Sequence, residues 1–83
     1  MARILIVDDS PTEVRKISTI LEKFKHEIIT ADNGADGVAM ARQEKPDLVL
    51  MDVVMPGLNG FHATRQLTRG EGTSDIPVII VTT

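Results

Sequence analysis

Four short aliphatic runs punctuate the chain: Ile4-Leu5-Ile6-Val7, the pair Ile28-Ile29, Leu48-Val49-Leu50-Met51, and Val78-Ile79-Ile80-Val81. The first, third and fourth are continuous rather than alternating, the pattern of strands buried on both faces of a parallel sheet. Between the runs the spacing changes to that of a helix. Val14, Ile17, Leu21 and Phe24 recur at helical intervals and predict one apolar helical face. Ser10-Pro11-Thr12-Glu13 reads as the start of that helix: Ser10 caps, Pro11 suits the first helical position, and Glu13 closes a capping box. Lys23, Lys25 and His26 stand near its end, where positive charge suits the dipole. A second helix is predicted over about residues 35–43, capped by Asn33 and stopped by Pro46-Asp47. Its apolar positions are the small Ala35, Val38, Ala39 and Ala41, so it should lie close to the sheet. The third helix is predicted over 61–68, between the turn-rich Met55-Pro56-Gly57-Leu58-Asn59-Gly60 and Gly70-Glu71-Gly72.

The order βαβαβαβ predicts an α/β fold: a doubly wound parallel sheet with helices on its faces. Ligands of such sheets bind beyond the carboxyl ends of the strands. The first strand ends in Asp8-Asp9, the third in Asp52 and the fourth in Thr82-Thr83, so all of these should share one edge of the sheet. Three crowded carboxylates repel one another, and some would take up protons unless a cation joined them. A hard divalent ion answers that need, and Mg²⁺ commonly takes one or two carboxylates together with phosphate oxygens. A carboxylate is also a competent nucleophile for an aspartyl phosphate. A threonine hydroxyl at the next strand end can donate to a phosphoryl oxygen.

Bulk properties narrow the function classes. The chain of 83 residues is one domain or part of one. Hydrophobic residues make up 42% and charged residues 25%, an ordinary soluble composition. The net charge of −3 argues against nucleic acid or an anionic membrane as partner, since both need a basic face. There is no cysteine, which excludes disulfides and thiolate metal sites. No apolar run approaches a membrane span, and Met1-Ala2-Arg3 leads straight into an apolar run too short for a signal-peptide core. The expected compartment is the cytoplasm.

With Val7-Asp8-Asp9-Ser10, Leu50-Met51-Asp52-Val53-Val54-Met55-Pro56-Gly57, Gly60 and Pro77-Val78-Ile79-Ile80-Val81-Thr82 in place, the sequence resembles the receiver domain of bacterial response regulators over its whole length. An acidic pair after a strand is a weak signal alone; joined to Asp-Val-Val-Met-Pro-Gly and the late threonine it is specific. The resemblance implies a flavodoxin-like sheet of strand order 2-1-3-4, continued in the family by a fifth strand. It implies that Asp52 is the phospho-acceptor and that Asp8 and Asp9 hold Mg²⁺ beside it, with the backbone carbonyl of Val54 as a further ligand. Thr82 would be the switch hydroxyl, and Thr83 would occupy a position usually filled by a small residue. Gly60 would permit the tight start of the third helix. The implied phosphodonor is a sensor histidine kinase, and the implied output is a downstream protein. Among receivers the chain is most similar to single-domain ones of the chemotaxis and twitching-motility type.

The family fold has five strands and five helices, so residues 1–83 are expected to form the N-terminal part of such a domain, lacking the last strand and last helices. The lysine and the aromatic switch residue expected on or after strand five have no candidates here: no lysine lies beyond Lys45, and there is no Tyr or Trp. The uncharged run Val78-Ile79-Ile80-Val81 would then be an open sheet edge, which predicts a homodimer or larger assembly.

Each signal has a plainer reading. Asp8 and Asp9 can be acids at a helix start, Asp52 a turn residue, and Thr82-Thr83 a β-branched strand extension. His26 and His62 are expected as solvent-facing helix residues, since no second His or Cys stands at ligand spacing. Met40, Met51 and Met55 are expected in the core. A phosphohydrolase with an Asp nucleophile would carry a second Asp two residues later, where this chain has Val54. A self-associating structural fragment without phosphotransfer is the other alternative. A dinucleotide-binding fold lacks its glycine fingerprint after the first strand.

Overall fold

Seven elements alternate along the chain: β1 (Arg3–Val7), α1 (Pro11–Lys23), β2 (Glu27–Ala31), α2 (Gly34–Glu44), β3 (Leu48–Asp52), α3 (Gly60–Arg69) and β4 (Val78–Val81). The computed structural model describes residues 1–83 other than Pro56, Leu58, Thr82 and Thr83. The strands form one parallel sheet in the order β2-β1-β3-β4. Ile4 stands between Ile28 and Leu48, Val7 between Ala31 and Met51, and Asp52 beside Val81. The chain moves outward from β1 to β2, then returns past β1 to β3. Because parallel crossovers are right-handed, that reversal puts α1 on one face of the sheet and α2 and α3 on the other.

The two faces are unequally covered. On the α2–α3 side, Leu5, Val7, Val49 and Met51 pack with Val38 and Ala41 of α2 and Ala63 and Leu67 of α3. Met51 and Met55 are buried, and Met40 packs against the cluster partly buried, as expected. On the α1 side, Ile4 and Ile6 of the central strand are buried. No residue of α1 is fully buried; Val14, Ile17 and Leu21 are half-buried. Phe24 departs from expectation: it is the cap beyond the last turn, 69% exposed. Among the described residues, Ile20 of α1 and Ile79 of β4 are also more than half exposed.

Helix starts follow side-chain chemistry. Ser10, Asn33 and Asn59 each accept from the backbone N–H three residues on, those of Glu13, Asp36 and His62. The expected capping box is only half formed, because the Ser10 N–H donates at 2.9 Å to Asp8 Oδ1 and not to Glu13. α2 does lie close to the sheet: Val38 and Ala41 are buried as expected and Gly37 makes the close approach, while Ala35 and Ala39 are exposed. A Cβ on Gly37 would fall 2.7 and 2.8 Å from the two methyl groups of Val7. His26 also departs from expectation. It stands in the connection before β2, half-buried, and its Nδ1 accepts from the Ala2 N–H at 3.0 Å. His62 is exposed on α3, as expected. Among the described residues no helix is long and apolar enough to cross a membrane.

Thr64 of α3 buries a hydroxyl oxygen that has no hydrogen-bond partner among the described residues. An unsatisfied buried hydroxyl costs about 1–3 kcal/mol. Thr64→Val keeps the shape and removes the polar atom, so it should stabilise the fold by roughly 1 kcal/mol, read by urea unfolding. A loss of stability would show that the hydroxyl has a partner in solution.

Candidate functional site

The acidic cluster follows from strand register. β1 and β3 are parallel neighbours with Val7 beside Met51, so the next residue of each, Asp8 and Asp52, emerges at the same edge. The Asp8 N–H donates to the Ala31 carbonyl at 3.0 Å, which carries the β1–β2 ladder one residue further and fixes the Asp8 backbone. Asp8 is buried, at 6% exposure, while Asp9 is exposed and Asp52 half-buried. Carboxylate oxygens of Asp8, Asp9 and Asp52 all lie within 4.8 Å of one another. The Val54 N–H donates to Asp52 Oδ1 at 3.3 Å, which folds the residues after β3 back toward the cluster.

Burial pushes the Asp8 carboxyl above the usual carboxylate range. The Ser10 N–H on its oxygen opposes that shift, and the negative charges of Asp52, Asp9 and Glu13 add to it. Glu13 therefore belongs to the field of the site, a role its position in a capping motif concealed. A buried carboxyl lifted by neighbouring carboxylates is stabilised as an anion by a cation on the same oxygens. The donor set is all hard oxygen, with three carboxylates close enough to share one ion. This suits Mg²⁺ or another hard divalent cation.

The structure thus brings together the sequence-expected Asp8, Asp9 and Asp52. Val54 stands two residues after Asp52 and is tied to it by its N–H. Thr82 and Thr83 lie outside the described residues. What the sequence reading missed is the link between the cluster and the α1 cap. Asp8 and Ser10 share a hydrogen bond, and the signal for it was an acid two residues before a capping serine.

The raised Asp8 pKa sets a pH dependence. In the folded, metal-free chain, the stability linked to Asp8 is full below the unfolded carboxyl pKa, taken as 3.8, and is lost as pH rises through the higher folded value. Asp8→Asn keeps an oxygen to accept from Ser10 and removes the charge. In a chelator it should therefore melt higher than the parent at pH 7, with a gain that shrinks on acidification toward pH 4. Equal melting temperatures at neutral pH would refute this account of the site.

Residues 4–83 match the response regulator receiver domain. Protein PilH of Pseudomonas aeruginosa is 72% identical over 83 residues, which are all of this chain and 69% of that protein. Response regulator PleD of Caulobacter vibrioides is 42% identical over 81 residues, 98% of this chain and 18% of that protein. Among solved structures, the N-terminal domain of a response regulator receiver protein from Methanoculleus marisnigri superposes with a TM-score of 0.93 at 35% identity, over 96% of this chain and 65% of that one. The receiver domain of sensor histidine kinase PA1611 from Pseudomonas aeruginosa, solved with a magnesium ion in its active-site cleft, gives 0.90 at 29% identity, over 95% and 65%. A parallel sheet in the order 2-1-3-4, an acidic cluster at its carboxyl edge and this match over nearly every residue lead to one conclusion: the chain belongs to the response regulator receiver domain family.

Proposed function

We propose that the chain is a phospho-acceptor signalling module of a two-component relay, phosphorylated on Asp52, and not an enzyme that turns over a substrate. The observation that carries this reading is the approach of three carboxylates to within 4.8 Å at the sheet edge of a receiver fold. Asp8, Asp9 and Asp52, with the Val54 carbonyl, would hold Mg²⁺. When bound, the ion would offset charge on the acceptor and on the phosphoryl oxygens. An Asp52 carboxylate oxygen attacks phosphorus, the bond from phosphorus to the donor nitrogen of a sensor histidine kinase breaks, and an acyl phosphate remains on Asp52. The Asp8–Ser10 hydrogen bond restrains Asp8 while this happens, and the Val54 N–H restrains Asp52. By the family resemblance, the Thr82 hydroxyl would donate to a phosphoryl oxygen, and Thr83, next in sequence, would fill a position usually held by a small residue. Output passes to a downstream protein, since a net charge of −3 suits neither nucleic acid nor an anionic membrane. The role we assign is a cytoplasmic one of the chemotaxis or twitching-motility type; a fold shared with the Vibrio cholerae chemotaxis protein CheY4, at a TM-score of 0.89 and 29% identity, supports the chemotaxis part of it.

Incubation with a small acyl phosphate tests the reading. Intact-mass measurement should show Mg²⁺-dependent modification that disappears in Asp52→Asn, and Mg²⁺ should raise the melting temperature of the parent but not of Asp9→Asn. Modification that survives in Asp52→Asn, or a melting temperature indifferent to Mg²⁺, would remove the assignment.

A second property has its own observation. β4 pairs with β3 on one side, and among the described residues nothing pairs with its other edge. Its four residues are all aliphatic, and Ile79 is 51% exposed. An edge of that kind is a template for another strand. The 83-residue chain should therefore form a homodimer or larger assembly through β4, which light scattering coupled to size-exclusion chromatography measures. A monomer at micromolar concentration would refute it.

A further inference from the structure

We propose that the open edge of β2 and the face of α2 beside it form a docking groove for an extended segment of another protein, one that carries a lysine or arginine. This holds whether or not Asp52 is phosphorylated.

β2 is the edge strand opposite β4, and among the described residues it pairs only with β1. Its orientation follows from two bonds at its ends. The Glu27 N–H donates to the Ala2 carbonyl at 2.9 Å, and the Ala31 carbonyl accepts from the Asp8 N–H at 3.0 Å. Backbone groups of successive strand residues point to opposite sides, so Glu27, Ile29 and Ala31 face β1. Ile28 and Thr30 therefore turn both N–H and C=O outward, donors and acceptors that the sheet does not use.

A groove of about 430 Å³ lies along this edge. Thr30 lines its strand side, and α2 supplies Asp36, Ala39, Met40 and Gln43, whose spacing of three, four and seven residues puts them on one helical face. Ala39 is exposed and takes little room. Met40 is half-buried against the core and offers an adaptable apolar wall. Asp32 and Asp36 lie at the end where β2 gives way to α2. Asn33 Nδ2 donates to Asp32 Oδ1 at 2.8 Å and to Asp36 Oδ2 at 2.9 Å, which holds the two carboxylates side by side. The carboxamide is neutral, so their charge stays uncompensated. Both acids are exposed, and among the described residues neither forms an ion pair.

These parts together select the occupant. The outward backbone of Ile28 and Thr30 suits an added strand, whose main chain supplies affinity while alternate side chains meet the groove. The paired acids suit a cationic side chain on that strand. A bare cation would answer the acids and leave the backbone unused. A second copy of the chain is a poor fit through its other open edge, because Val78–Val81 carries no basic residue. Pairing β4 of one copy on β2 of the next would also be a head-to-tail contact, not a two-fold one.

The test selects binders from a library of short random peptides against the 83-residue chain in chelator, then titrates them while backbone amide shifts are followed. Selected peptides should carry a lysine or arginine, and should move the amides of Ile28, Thr30 and Asp32 and of the α2 face. The double variant Asp32→Asn with Asp36→Asn keeps oxygens for Asn33 and removes both charges. It should weaken binding by about threefold or more, and added salt should weaken binding to the parent likewise. Thr30→Pro removes an outward donor and no bond to β1, a place where an edge strand accepts proline, and should weaken binding by roughly fivefold or more. If Thr30→Pro does not fold, a selected peptide methylated on its backbone nitrogens takes its place: lost binding supports strand addition, and retained binding overturns it. Peptides that move only other amides, that lack a basic residue, or that bind the double variant as tightly as the parent overturn the inference. Shifts at Ile28 and Thr30 that depend on protein concentration without peptide would make the occupant a second copy and overturn the choice of partner.

Discussion

Parallel pairing of β1 with β3, Val7 beside Met51, brings two chain segments more than forty residues apart to a common edge and leaves each with an aspartate on its next position. Strand pairing of this kind is strong and geometrically narrow, because a slip of one residue would turn every buried side chain to the other face. Leu5, Val7, Val49 and Met51 are all buried in one cluster, so the register is held by packing as well as by the ladder. The carboxylates pay for none of this themselves. Apolar burial forces them together, against their mutual repulsion.

That repulsion is the physical basis of the site. Asp8 is buried beside two other carboxylates, and its pKa is raised in consequence. The metal-free fold therefore holds an anion it does not favour. Under the proposed reading, the same arrangement would make a cation a stabilising ligand. Stability given up by the bare fold would then return as affinity for the ion.

The sheet itself is lopsided. α2 and α3 cover one face with a continuous apolar cluster, and the approach of α2 depends on Gly37 lying over Val7. α1 covers the other face less completely, with half-buried Val14, Ile17 and Leu21 and no fully buried residue. The functional edge belongs to both layers. Asp8 is tied to the α1 cap through Ser10, and Asp52 lies against the start of α3 through Gly60. A change in either helix start therefore reaches the carboxylates through the backbone.

Much of this was legible in the sequence because it rests on short-range signals. Aliphatic runs marked the strands, Ser10 and Asn33 marked two helix starts, and the order of elements implied a parallel sheet with a ligand edge. The aspartates were legible because each stands directly after an apolar run. What local pattern could not carry was which small residues make close contact, and what each polar group bonds to. Of the expected contact face of α2, Val38 and Ala41 are buried but Ala35 and Ala39 are exposed, and the close approach to Val7 falls at Gly37, since only the crossing of helix and strand decides which positions meet. His26 looked like a solvent-facing helix residue, but the chain leaves the helix before it and its ring accepts from Ala2, twenty-four residues away. The sequence by itself determined the elements, their order and the acids at the strand ends, because those depend on neighbours along the chain. Only the tertiary structure decided that Asp8 is buried while Asp9 is not, that Glu13 joins their field and that Gly60 sits on the Asp52 peptide, because those depend on atoms brought together from distant parts of the chain.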